Sequence, residues 1–286
     1  INRDGYSDVI VGAPGFDGGE PDEGRAWIYL GSPQGLIATP YRVLEANQEA
    51  ASFGHSVAAA GGIDGDGDAD VVVGAPWFDD DELDEGTAFV FLGGANMDTV
   101  ADARYEGNAT NSQFGLSVAG ANDVNGDGRA DIIVGATGNT GRALVYFGGD
   151  RPLDTTPVLE IAAAFPATQF GFAVAGAGDV NGDGFGDVIV GEPARSAEIG
   201  GATLQSVGRV SLFLGAVGRS MDALPDAILT GESSGERFGS SVAGAGDVDA
   251  DGFDDIIIGA PHAALGASQT GKAFVNFGSE DGRLVR

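Results

Sequence analysis

Oxygen-bearing side chains recur along this chain at a spacing that suits a hard cation. Asp123-Val-Asn-Gly-Asp-Gly-Arg-Ala-Asp131, Asp179-Val-Asn-Gly-Asp-Gly-Phe-Gly-Asp187 and Asp247-Val-Asp-Ala-Asp-Gly-Phe-Asp-Asp255 each place Asp or Asn at positions 1, 3, 5 and 9, with Gly at position 6. Alternate residues of such a loop point inward, and the glycine permits the turn that brings position 9 round to close a cage of oxygens. The chemistry this predicts is Ca²⁺ binding, with metal-ligating residues Asp123, Asn125, Asp127, Asp131, Asp179, Asn181, Asp183, Asp187, Asp247, Asp249, Asp251 and Asp255.

Two copies depart from the pattern. In one, Asp70 stands at position 9 and Asp64 and Asp66 at positions 3 and 5, but position 1 is Gly62, which has no side-chain oxygen. Asp68 at position 7 adds a carboxylate, and weaker binding, with water completing the shell, is expected there. The other copy keeps Asn2, Asp4 and Asp8 and lacks position 1, so the chain opens inside a motif and the natural N-terminus is expected upstream.

Other chemistries find less support. Carboxylates that already serve a metal are poor general acids, and a closed cage leaves no open position for catalysis. The absence of Cys removes thiol catalysis and disulfides. No Gly-x-Ser-x-Gly elbow lies between a strand and a helix. Of the two histidines, His55 is expected packed or capped, and His262 is a weak candidate for ligand contact. The chain is therefore read as not an enzyme. Its formal net charge of −29 should repel nucleic acid and anionic membrane surfaces. No run of 18 apolar residues exists, so no membrane insertion is expected.

The elements that must position the loops repeat with them. A small-residue strand opening on Phe-Gly precedes each of the last four loops, at Phe53-Gly54, Phe114-Gly115, Phe170-Gly171 and Phe238-Gly239, and each Phe stands 17 residues before position 9. An apolar β-branched strand follows each loop and ends in Gly-Ala-Pro or a variant, as in Val71-Val-Val-Gly-Ala-Pro76 and Ile256-Ile-Ile-Gly-Ala-Pro261. A variable loop leads to a third strand, such as Gly86-Thr-Ala-Phe-Val-Phe-Leu-Gly93, and a weaker fourth strand follows, such as Arg42-Val-Leu-Glu45. Four short strands per unit, 50 Gly for tight turns and almost no helical periodicity describe an all-β protein, a β-propeller of four-stranded antiparallel blades. The units fall near 1–52, 53–113, 114–169, 170–237 and 238–286, with the first and last incomplete. A parallel β-helix is disfavoured because the acidic loops recur about every 60 residues and not in tandem.

Phe-Gly, an Asp-x-Asp-x-Asp-Gly-x-x-Asp loop and Gly-Ala-Pro in fixed order resemble FG-GAP repeats, which form the propeller at the head of integrin α subunits and occur in bacterial secreted proteins and fungal lectins. The resemblance spans essentially the whole chain. It implies that the position-7 carbonyl is a further Ca²⁺ ligand, here Arg129, Phe185 and Phe253, and Tyr6 in the incomplete copy. It also implies an extracellular, cell-surface or periplasmic location and a seven-bladed ring of which these five units are a segment; a smaller ring closed by sequence outside this chain is the other arrangement. The implied function is a scaffold for protein or glycan binding through the loops after Gly-Ala-Pro: 15–24, 77–86, 138–141, 194–208 and 262–271. Trp77, Phe78 and Phe16 are candidate exposed aromatics there, with packing against a neighbouring blade as the commoner fate. The alternatives are a lectin and a non-catalytic propeller appended to an enzyme. A lectin predicts aromatics at equivalent positions, yet Trp27, Phe89, Leu144, Leu212 and Phe274 sit in the third strand, where burial is expected. Asn108-Ala-Thr110 is a glycosylation sequon, meaningful only in a eukaryotic secretory setting.

Overall fold

Each repeat folds as an antiparallel meander, the arrangement short connections between successive strands favour. The computed structural model describes residues 1–138, 140–218, 221–265 and 268–285. Every regular element among them is a strand, and no helix is long and apolar enough to cross a membrane. The first sheet orders β1 (Val9–Ala13), β2 (Arg25–Tyr29) and β3 (Arg42–Leu44). The second holds β4 (Ser56–Gly61), β5 (Asp70–Ala75), β6 (Thr87–Phe91) and β7 (Ala103–Glu106). The third holds β8 (Phe114–Asn122), β9 (Asp131–Ala136), β10 (Arg142–Tyr146) and β11 (Leu159–Ala162).

In the fourth repeat, β12 (Ala173–Gly178) and β13 (Asp187–Glu192) are followed by a separate hairpin of β14 (Ala197–Ile199) and β15 (Ala202–Leu204). β16 (Arg209–Phe213) and β17 (Ala227–Thr230) then complete a four-stranded sheet. The fifth sheet has β18 (Ser241–Gly246) and β19 (Asp255–Ala260), then a small hairpin of β20 (Ala264–Leu265) and β21 (Ser268–Gln269), then β22 (Lys272–Asn276). Among the described residues no fourth strand follows; Phe277 and Val285 form one antiparallel bridge. The two hairpins fall inside segments that the sequence reads only as variable loops.

Small residues in the first strands answer a steric demand. Successive first strands abut, β4 on β8, β8 on β12 and β12 on β18. A Cβ built on Gly120 would lie 2.8 Å from the Ala59 carbonyl oxygen, and one on Gly176 would lie 2.6 Å from that of Gly120. Backbones meet there, and only glycine and alanine leave the room. The second strands β5, β9 and β13 are buried along their whole length, as runs of Val and Ile require.

The Phe of each Phe-Gly lies between sheets. Phe114 packs with Val72, Val90 and Tyr105 of the second sheet and with Ile132, Val134 and Tyr146 of the third. Phe53, Phe170 and Phe238 fill the corresponding places at the other three junctions. The sheets that end the series bury less. Val9 and Val11 of β1 are 41% and 45% exposed, and most of β18 is exposed where the equivalent β12 is half to fully buried.

Candidate metal centres

The acidic loops join the first strand of a sheet to the second, and a bulge launches each of the four complete connections. Pairing slips at Ala59/Gly61, Gly120/Asn122, Gly176/Gly178 and Gly244/Gly246. Gly61, Asn122, Gly178 and Gly246 all have positive φ, which Gly and Asn tolerate best. The chain therefore leaves every first strand at the same angle.

Within loop 123–131, Asp123 Oδ1 accepts N–H bonds from Gly126 and Asp127, and Oδ2 accepts from Gly128 at 2.7 Å. Asn125 Oδ1 accepts from Asp127, and Asp127 Oδ1 accepts from Arg129. Loops 179–187 and 247–255 repeat this pattern: Asp179 and Asp247 accept from positions 5 and 6, and Asp183 and Asp251 accept from position 7. Such turns aim the side chains at positions 1, 3 and 5 toward one volume. In loop 247–255 a ligand oxygen of each of Asp247, Asp249 and Asp255 lies within 4.8 Å of the others.

Position 9 has a second task. Asp131 is fully buried; its Oδ2 accepts from Val124 N–H and its Oδ1 from Gly148 N–H beyond the third strand, both at 2.8 Å. Asp70, Asp187 and Asp255 make the same two bonds, to Ile63 and Gly93, Val180 and Gly215, and Val248 and Gly278. Asp8 accepts from Gly31 N–H and from the Ile1 backbone nitrogen in the same way. The last Asp thus ties its loop to the end of β2, β6, β10, β16 or β22.

Burial pushes the carboxyls of Asp131 and Asp187 up from 3.8 to about 7, and the like charges of Asp127 and Asp123, or Asp183 and Asp179, add to it. Two N–H bonds to each pull the other way without winning. Burial likewise pushes Asp70 up to about 6. Among the described residues, no ion pair involves Asp123, Asp127, Asp179, Asp183, Asp247 or Asp251. An all-oxygen donor set around a buried acid, with no base beside it, fits a hard cation.

Successive loops also hold one another. The position-8 N–H donates to the position-1 carbonyl of the preceding loop: Ala130 to Gly62, Gly186 to Asp123 and Asp254 to Asp179, at 3.1, 2.8 and 2.9 Å. The position-7 side chain lies over position 4 of that loop. A Cβ on Gly126 would be 2.4 Å from the Phe185 ring, and one on Gly182 would be 2.8 Å from the Phe253 ring. This explains the Asn-Gly-Asp-Gly order in loops 123–131 and 179–187. At position 4 of the last loop, Ala250 carries its Cβ at a φ of 63°.

Loop 62–70 differs. Asp68 at position 7 turns outward to Arg3, Nε to Oδ1 2.8 Å, and Asp64 Oδ2 meets Arg151 Nε at 2.8 Å. Burial pushes the Asp64 carboxyl up, but the Asp66 N–H and then the Arg151 guanidinium outweigh it and hold the group below its usual range.

All second strands run away from the acidic loops, so the loops after Gly-Ala-Pro gather on the opposite face. Phe78 is buried against Phe89 with ring centroids 5.3 Å apart, and Phe16 packs edge-on against Trp27 at 5.4 Å. Neither is a free aromatic. Trp77 stays half-buried beside His55, centroids 5.5 Å apart. His55 itself is exposed, contrary to packing, and its Nδ1 lies 3.2 Å from the Leu116 carbonyl oxygen, which caps it. His262 and Asn108 are exposed. Of the third-strand set, Phe89, Leu144 and Leu212 are buried, whereas Trp27 and Phe274 are half-buried.

Sequence reasoning missed the acids that shape these loops. Glu85 is buried and accepts N–H bonds from Asp80, Asp81 and Asn108. Glu23 accepts from Gly19, and Glu236 accepts from Glu232 and Ser233. The signal available was a Glu-Gly pair before the third strand, at Glu23-Gly24 and Glu85-Gly86.

The FG-GAP repeat family model matches residues 1–29, 53–91, 114–146, 170–213 and 238–275. The chain belongs to the FG-GAP repeat family. Each of the last four matched stretches opens on the interface Phe and runs into the third strand of its sheet. Integrin alpha-5 of Xenopus laevis is 36% identical over 163 residues, covering 54% of this chain and 15% of that protein. Integrin alpha-8 of Homo sapiens is 33% identical over 191 residues, covering 67% of this chain and 17% of that protein. The FG-GAP chain thus spans a small part of the length of these relatives. A solved structure described as the Dos1 propeller overlays 88% of this chain and 51% of its own at a TM-score of 0.45 and 9% identity.

Proposed function

We propose that this chain is a calcium-stabilised β-propeller scaffold of the adhesion type, working outside the cell or at its surface. It presents the loops after Gly-Ala-Pro to a protein or glycan ligand and performs no catalysis itself. The whole chain acts as one propeller domain or part of one. The observation that carries this reading is the convergence of Asp247, Asp249 and Asp255 within 4.8 Å, in a loop design repeated at 123–131 and 179–187. FG-GAP membership and similarity to integrin alpha chains support the adhesion role.

The residues that hold the ion are the side chains at positions 1, 3, 5 and 9 and the carbonyls of Arg129, Phe185 and Phe253. Ca²⁺ bound there supplies the hard positive charge that a ring of carboxylates lacks. The protein's own residues then transmit the order. Position 9 anchors the loop to the third strand, and position 8 bonds the preceding loop. Each closed loop therefore steadies two neighbouring sheets, and the opposite face is held in shape for a partner.

Calcium titration calorimetry on the chelator-stripped chain tests this. Three ions are expected, and Asp123→Asn, Asp179→Asn and Asp247→Asn should each remove one. No binding at millimolar Ca²⁺ would sink the proposal. A glycan array then separates the partner classes: specific sugar hits mark a glycan ligand, and none marks a protein.

A further inference from the structure

We infer that loop 62–70 is closed by arginine and not by a metal ion, the guanidinium of Arg151 standing in the cation's place. Position 1 of this loop is Gly62, so its donor set is one side chain short. Arg151, in the connection from β10 to β11, places Nε 2.8 Å from Asp64 Oδ2, and its Nη2 is 3.9 Å from Asp66 Oδ2. Its Nη1 is 3.8 Å from Asp102 Oδ1. From the other side, Arg3 Nε is 2.8 Å from Asp68 Oδ1, and Arg3 Nη2 is 3.3 Å from Asp66 Oδ1 and also bonds the Asp66 carbonyl. Arg129 covers the rim: a Cβ on Gly65 would lie 3.1 Å from its Nε.

Three of the chain's 14 basic residues thus surround one loop. At loops 123–131 and 179–187 the corresponding rim side chains are Phe185 and Phe253, and among the described residues no base pairs with Asp123, Asp127, Asp179 or Asp183. The charge logic follows. The Asp64 side chain is 5% exposed within a half-buried residue, and a carboxylate so shielded needs a positive partner. In the complete loops an ion can fill that need, whereas here guanidinium groups do so from the sheets on either side. The two oxygens of Asp64 and Asp66 that a cation would need face Arg151, so ion and arginine exclude one another. Arg3 lies in the first loop and Arg151 in the third repeat, so the pairs also pin three consecutive repeats together without metal.

The test is an Asp64–Arg151 double-mutant cycle on the whole chain, with Asp64→Asn, Arg151→Gln and the pair melted both in saturating Ca²⁺ and in EDTA. Each single variant should lower Tm by about 2–4 °C, the double variant by no more than one of them, and the coupling should be the same in both buffers. Coupling present in EDTA but abolished by Ca²⁺ would mean that an ion displaces the arginine, and would overturn the inference. So would no coupling in either buffer. An ion count supplies a second readout: Asp64→Asn should leave the number of bound Ca²⁺ unchanged, and a loss of one ion would overturn the inference. The complete loops serve only as the reference for that count. The coupling in EDTA is read without them, so failure of the calcium reading and failure of the arginine reading are seen separately.

Discussion

Gly126 is where the stacking of one loop on the next can be isolated. It has a φ of +75°, and a Cβ there would lie 2.4 Å from Phe185 Cε1. Gly128, in the same loop, has a φ of +86° and nothing within 4 Å of its Cβ position. Alanine at either site meets the left-handed penalty of ~1–2 kcal/mol. Only at Gly126 must a ring also retreat, by roughly 1 Å to reach ordinary carbon–carbon contact. Gly126 is exposed and Phe185 half-buried, so the cost sits at the low end of the overpacking range, about 1 kcal/mol. At about 2–4 °C per kcal/mol, Gly126→Ala should melt ~2–4 °C below Gly128→Ala in scanning calorimetry with saturating Ca²⁺. In a Phe185→Ala background the two should melt together. Equal melting in the wild-type background, or a gap that survives removal of the ring, would refute the stacking.

Phe114→Ala should cost about 3–5 kcal/mol in urea unfolding, because the ring fills the junction of two sheets. Leu224→Ala, at a side chain 74% exposed, should cost under about 0.5 kcal/mol, and equal costs would contradict the interface role. In the chelator-stripped chain, Asp131 and Asp187 have folded values near 7 against 3.8 when free. The folded state therefore holds more protons between about pH 4 and 7, and the stability this gives is present at low pH and lost as pH rises through 7. Tm in EDTA should be higher at pH 5 than at pH 8, and an Asp131→Asn/Asp187→Asn chain should show a smaller difference. A difference of unchanged size would rule these two acids out as its source.

Local demands were legible in the sequence, and contacts between distant residues were not. Fixed spacing marks the strand–loop–strand piece, because Phe114 to Asp131 is one continuous path, and small residues mark the crowded first strands. The Gly at position 4 could be seen but not explained, since Phe185 reaches it from the next repeat. Arg3 and Arg151 stand 63 and 87 positions from the loop acids they meet, and no local pattern ties them to Gly62. The position-9 anchor was hidden for the same reason: Asp131 reads as a ligand, while its bond to Gly148 appears only once β9 and β10 pair. Hairpin β14–β15 lies in a stretch where composition signals only turns.

The most direct test of the calcium reading is the melting curve of the chain in Ca²⁺ and in excess EDTA. Each loop that binds should add about 2.7 kcal/mol at a hundredfold excess of Ca²⁺ over Kd. EDTA should therefore lower Tm markedly, and added Ca²⁺ should restore it. Superimposable curves would contradict the claim that cations close these loops.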